Sequence, residues 1–240
     1  MMNRYTSFLL FACALRATAQ LSGTYTVGGN GANYPTPAAA FSALNAQGAN
    51  GDVTFLINAG TYTGQYSLGP ISGTPGSIIV RSISNNAADV TLAFDAAFPL
   101  ENHIVALDGI GSPSTSTNSY MDRILVHCDQ NDLNTADNAD LFQVLGCTFR
   151  NGSQGIELMA EGNGGARATS LMIAENTFTD QLIGAINLLN ATGEITQNRI
   201  TTDVADGFTA IRTSNFDGGS KVQRNVIHAR SLSSGCTGIE

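Results

Sequence analysis

The stretch Val144-Leu-Gly-Cys-Thr-Phe149 returns as Ile173-Ala-Glu-Asn-Thr-Phe178, as Ile195-Thr-Gln-Asn-Arg-Ile200 and as Val222-Gln-Arg-Asn-Val-Ile227, and this repetition decides the fold. Each copy has an aliphatic residue, a small polar or thiol residue three positions later, and a large apolar residue two positions after that. Each is followed by a second signal, Gly155-Ile156, Gly184-Ala-Ile186, Thr209-Ala-Ile211 and Gly238-Ile239. A weaker copy precedes them at Leu125-Val-His-Cys128.

The slots held by Cys128, Cys147, Asn176, Asn198 and Asn225 are 19, 29, 22 and 27 residues apart, a period that belongs to stacked supersecondary units. The local pattern is constant while the spacing varies, so the extra residues belong in loops outside a regular scaffold. The units are short, rich in Val, Ile, Thr and Phe, and alternate with period two, which predicts several strands per turn of a parallel stack. In such a stack a buried Asn hydrogen-bonds to the turns above and below it, so the five slots form an expected structural ladder.

Ile-x-x-Asn-x-Phe/Ile followed by Gly-Ile resembles the repeat of right-handed parallel β-helix proteins, the pectate-lyase-like superfamily. The resemblance covers roughly residues 122–240 and runs more loosely back to about residue 24. It implies an all-β, right-handed parallel β-helix. It does not select an activity, because one fold hosts many chemistries.

Residues 1–19 combine Arg4, an apolar run from Phe8 to Leu15 and the ending Ala17-Thr18-Ala19, the layout of a cleavable secretory signal. Leu10-Phe-Ala-Cys13 offers a lipoprotein signal as the alternative. The segment is too short for a membrane anchor. Residues 20–240 then form one β-helix domain. The chain stops inside a repeat, at Gly238-Ile239-Glu240, without an element that caps the last turn, so a longer protein is expected.

The balance of 19 acidic to 11 basic residues, with Lys221 as the single lysine, leaves no basic stripe for a nucleic-acid partner. A secreted or cell-surface location and a monomeric state are expected. Thr36-Pro37-Ala-Ala-Ala-Phe41-Ser-Ala-Leu44 predicts a helix over 37–46, with threonine as N-cap and proline in its first turn, placed to cover the open first turn of the stack. Gly51-Asp-Val53-Thr-Phe55-Leu-Ile57 and Gly60-Thr-Tyr62 follow as strands. This opening resembles that of β-helix enzymes related to pectin esterases and of exported β-helix proteins of gliding and polymer-degrading bacteria. Removal of the leader leaves three cysteines, an odd number that argues against a disulfide framework. Cys128 and Cys147, in one slot of successive turns, are read as buried thiols replacing ladder asparagines, with a bridge between them as the alternative.

Candidates for chemistry are few. Asp129, Asp132, Asp137 and Asp140, with three intervening asparagines, offer oxygen ligands for Ca2+, although no glycine stands where an EF-hand loop needs one. A solvated turn explains the same run. Arg123 and Arg150 are the basic residues nearest to it, and a calcium-assisted lyase acting on acidic glycans would need one of them to abstract a proton. His103, His127 and His228 fit no metal spacing. No Gly-x-Ser-x-Gly or triad arrangement is present. Three functions remain open: a surface scaffold or adhesin that presents loops to a polysaccharide or cell-surface glycan, a carbohydrate-active enzyme such as the lyase, and a structural spacer.

Overall fold

The computed structural model describes residues 19–64, 66–69, 71–93, 105–108, 124–129, 141–159, 167–203, 207–230 and 235–240. The leader expected over 1–19, except its last residue, lies outside these residues, as do Arg123, Asp132, Asp137, Asp140, His103 and the Ser/Thr run 111–118.

The chain opens with β1 (Leu21–Val27), the helix α1 (Pro37–Gln47) and β2 (Ala49–Ile57), then β3 (Gly60–Thr63), β4 (Tyr66–Leu68), β5 (Gly73–Ser82), β6 (Val90–Ala93), β7 (Val105–Asp108) and β8 (Ile124–Asp129). The regular part follows with β9 (Gln143–Leu145), β10 (Thr148–Arg150) and β11 (Gln154–Met159), then β12 (Ala168–Ala174), β13 (Thr177–Thr179) and β14 (Gly184–Leu189). Two more turns comprise β15 (Ala191–Thr196), β16 (Arg199–Thr202), β17 (Thr209–Ser214), β18 (Lys221–Gln223), β19 (Val226–Ala229) and β20 (Thr237–Ile239).

Among the described residues every strand pairing is parallel and joins strands of successive turns, which makes the molecule a parallel β-solenoid. A long seven-stranded sheet runs in the order β20-β17-β14-β11-β8-β7-β4. Strands β9, β12, β15 and β18 form a second sheet that leads into the asparagine turn, and β10, β13, β16 and β19 form a third that trails from it. In the N-terminal part the corresponding sheets are β1-β2-β5 and β3-β6.

Stacking in register explains why the repeat spells out like residues. The leading sheet aligns Val144, Ile173, Ile195 and Val222; the trailing sheet aligns Phe149, Phe178, Ile200 and Ile227. The rings of Phe149 and Phe178 lie 4.8 Å apart and nearly parallel, as adjacent strands dictate. In the long sheet the position of Ile156 continues through Ile186 and Ile211 to Ile239 on one side, and through Val126 and Val105 to Tyr66 on the other.

Between the leading and trailing sheets the chain turns through one left-handed residue, Gly146, Glu175, Gln197 or Arg224. The next residue points inward at the bend. Asn176 donates to Val144 O at 2.8 Å and to Asn198 Oδ1 at 3.0 Å; Asn198 donates to Ile173 O at 2.8 Å and to Asn225 Oδ1 at 2.9 Å. Asn225 donates to Ile195 O, and Asn176 Oδ1 accepts from the Cys147 N–H. Asn176 and Asn198 are buried, and these bonds satisfy the amides that burial would otherwise penalise.

Cys128 corrects the sequence reading of this slot. It lies in β8, in register with Leu107 and Leu158 of the long sheet, not above Cys147. Leu125-Val-His-Cys128 copies the letters of the repeat, but its strand runs straight from Ile124 to Asp129 and lacks the left-handed turn residue that precedes each true slot. No cysteine pair is stacked there. Cys147 does occupy the slot as a free thiol, in a residue that is exposed overall while the thiol itself is largely desolvated.

Helix α1 closes the other end. The Thr36 side chain accepts from Ala39 N–H, Pro37 opens the first turn, and Gly48 at φ 73° ends the helix with its N–H on Leu44 O. Pro37, Ala40, Phe41 and Leu44 are buried, the last three in a core with Leu21, Val27, Val53, Phe55, Ile57 and Tyr66. Among the described residues no helix is long and apolar enough to cross a membrane.

Candidate functional site

The outer face of the long sheet carries the most organised polar group outside the ladder. In β11, Ile156 and Leu158 fill the core, so Glu157 between them is turned to the opposite face by the period of the strand. Its carboxylate is nevertheless buried, at 1% exposure. Oε1 accepts from Gln154 Nε2 at 2.8 Å, three residues earlier, and from Asn187 Nδ2 at 3.0 Å on the next turn. Gln154 is itself buried.

Register extends this pair into a row. Glu157 aligns with His127 on β8 and with Asn187 on β14, and Asn187 aligns with Arg212 on β17. Arg212 donates from Nε at 3.1 Å and from Nη2 at 2.9 Å to Glu240 Oε2. Successive positions in the row are separated by the strand spacing, about 4.8 Å. Two residues along each strand a parallel row passes through Asp108, Asp129, Met159, Leu189 and Ser214.

A buried carboxylate fixed by two amides, with a guanidinium two strands further along the row, is suited to hydrogen bonding with hydroxyl-rich ligands. Asn187 and Arg212 are the accessible members, half-buried and exposed, while Gln154 and Asn187 hold the carboxylate in place. A carboxylate so placed also has the chemistry of an acid or base.

The expected calcium and lyase residues are not brought together among the described residues. Asp129 ends β8 in the long sheet, one turn from Asp108, whereas Arg150 ends β10 in the trailing sheet, exposed and in register with Thr179. No three His, Cys, Asp or Glu residues gather into a metal-binding group among the described residues. His228 lies on β19, exposed, and Asp180 and Asp203 fall at the ends of trailing strands.

Desolvation pushes the Cys147 thiol pKa up, an effect partly offset by its hydrogen bond to Leu145 O. That makes it a weaker nucleophile than a free cysteine at neutral pH.

Sequence reasoning passed over Glu157, yet a signal was there. Aligning the second element of each repeat sets Ile156-Glu-Leu158 over Ile186-Asn-Leu188 and Ile211-Arg-Thr213, so one position changes from carboxylate to amide to guanidinium while its neighbours stay apolar or uncharged. No protein-family model, no curated protein and no solved structure matches the chain.

Proposed function

We propose that this protein is an exported, cell-surface solenoid that binds carbohydrate along the outer face of its long sheet, acting as a scaffold or adhesin. The observation that supports this reading is the Gln154–Glu157–Asn187 network, set in register with Arg212. Its donors and acceptors repeat at the strand spacing on a straight face, a geometry suited to an extended chain of sugars. The leader-like residues 1–19 and the resemblance of the asparagine repeat to pectate-lyase-like proteins support export and a glycan partner.

The test is binding of the full chain to a panel of immobilised neutral and acidic polysaccharides. The double substitution Asn187→Ala/Arg212→Ala is expected to lower the affinity for the best ligand on the order of tenfold or more. Binding that survives unchanged in that variant, or no binding across the panel, overturns the assignment to this face. Fractionation of the source cells that finds the protein in the cytoplasm overturns export.

A further inference from the structure

Among the described residues from β9 to β20 the cationic side chains divide by wall. Arg212 and Lys221, on the long and leading sheets, are paired with Glu240 at 2.9 Å and Glu194 at 2.7 Å, and Arg167, just before β12, is paired with Asp217. Arg150, Arg199, Arg224 and Arg230 all belong to the trailing sheet or its margins, all are exposed, and among the described residues none makes an ion pair. Glu175, Asp180 and Asp203 border the same wall without pairing to them.

The trailing strands bury Phe149, Phe178 and Ile200 and partly bury Ile227, so the residues on either side of each face outward. One outward row is Thr148, Thr177, Arg199 and Val226; the other is Arg150, Thr179, Thr201 and His228. Arg224 stands at the left-handed turn before Asn225, and Arg230 follows β19, its N–H on Thr202 O at 2.8 Å. Arg199, Arg224 and Arg230 thus stand on the last two described turns, spread along the wall, with Arg199 in register with Val226 between the other two.

We propose that this wall is a docking surface for a sulfated polysaccharide lying across the last turns, with Arg199, Arg224 and Arg230 on its sulfate groups and Thr179 and Thr201 hydroxyls beside them. A guanidinium fork matches the oxygens of an oxyanion, and the three terminal oxygens of a sulfate reach side chains of neighbouring turns at once. A densely sulfated chain also carries enough local charge to bind against a net negative protein, whose remaining charges are screened beyond about 8 Å in physiological salt. The reading shares no residue with the long-sheet row, so loss of this binding and loss of Asn187-dependent binding are separate results.

The test is titration of the full chain with a heparin fragment, with a polyuronate of equal length as comparison, at low and physiological salt. Heparin is expected to bind more tightly than the polyuronate and more weakly as salt rises. The variant Arg199→Ser/Arg224→Ser/Arg230→Ser is expected to bind heparin on the order of tenfold or more weakly. The charge-matched variant Arg81→Ser/Arg167→Ser/Lys221→Ser, off this wall, is expected to bind within about twofold of the native chain. Equal losses in the two variants would reduce the effect to overall charge and overturn the site. Tighter binding of the polyuronate, or no heparin binding by natively folded chain, overturns the proposal as well. Circular dichroism of both variants separates lost binding from lost folding.

Discussion

The N-terminal block, β1 to β6 with α1, and the C-terminal block, β9 to β20, fill their interiors in opposite ways. In the C-terminal block the main core columns stack like on like, Phe149 on Phe178 and Ile173 on Ile195, and the asparagines do the same for polar groups. In the N-terminal block there are few turns to repeat, and the core is assembled from different parts. Phe55 meets Tyr25, Tyr34 and Phe41 at centroid distances of 6.0, 5.9 and 6.3 Å, and the helix supplies one side. Repetition lets a residue be replaced by another that fits the column; an assembled core depends on particular shapes.

That contrast is sharpest for the large core rings. Phe178→Ala is expected to cost about 3–5 kcal/mol, because it opens a cavity between two turns that cannot close independently. Phe178→Ile should cost much less, since Ile200 already fills the same column one turn on. At Phe55, where three rings of different orientation converge, Phe55→Ile should recover little of the loss caused by Phe55→Ala. Urea unfolding of the four variants measures this, and similar recovery at both positions would erase the distinction between the blocks.

The ladder gives the next largest effect. Asn198→Leu removes donors to Ile173 O and Asn225 Oδ1 and the acceptor for Asn176 N–H and Nδ2, in a buried setting, and is expected to cost about 1–3 kcal/mol. Asn225→Leu should cost less, because Asn225 is only partly buried and no described turn lies beyond it. An unchanged melting temperature for Asn198→Leu would mean that stacked aliphatic residues alone carry the C-terminal block. The N-terminal block has a smaller counterpart in Thr36→Ala, which strips the cap from Ala39 N–H and should cost about 1 kcal/mol.

The same contrast separates what could be read in the sequence from what could not. The slots at Cys147, Asn176, Asn198 and Asn225 are legible because a solenoid writes each three-dimensional neighbour as a repeated letter. The helix is legible because Thr36, Pro37 and Gly48 are local signals with local causes. Cys128 misleads for the complementary reason: its letters fit, but the missing left-handed residue is a matter of backbone conformation, and Glu175, Gln197 and Arg224 show that no single residue type announces it. The network at Glu157 depends on a partner 30 residues away, Asn187, and is visible only once the register is known. The unpaired arginines are hidden likewise, because the wall that each strand occupies, and not its composition, decides whether a carboxylate comes within reach.

Alkaline titration sets the two blocks apart by the smallest effect. Desolvation raises the pKa of Tyr34 and Tyr66 in the N-terminal block, with smaller contributions from Tyr25 and Tyr62, and it raises that of Cys147 in the C-terminal block. An acid whose folded pKa lies above its unfolded value ionises first in the unfolded chain. Its stabilisation is complete below the unfolded pKa and is lost as pH rises through the folded one. For the thiol that loss begins near pH 8.5, and for the phenols near pH 10, the usual values of the unfolded groups. Cys147→Ser should therefore flatten the decline in stability between about pH 8.5 and 10, while Tyr66→Phe should flatten it only above about pH 10. Denaturant midpoints across that range provide the measurement. If Cys147→Ser leaves the first part of the decline as steep as in the native chain, the thiol at the head of the ladder is coupled to solvent more than to the fold, and the C-terminal block begins at Asn176.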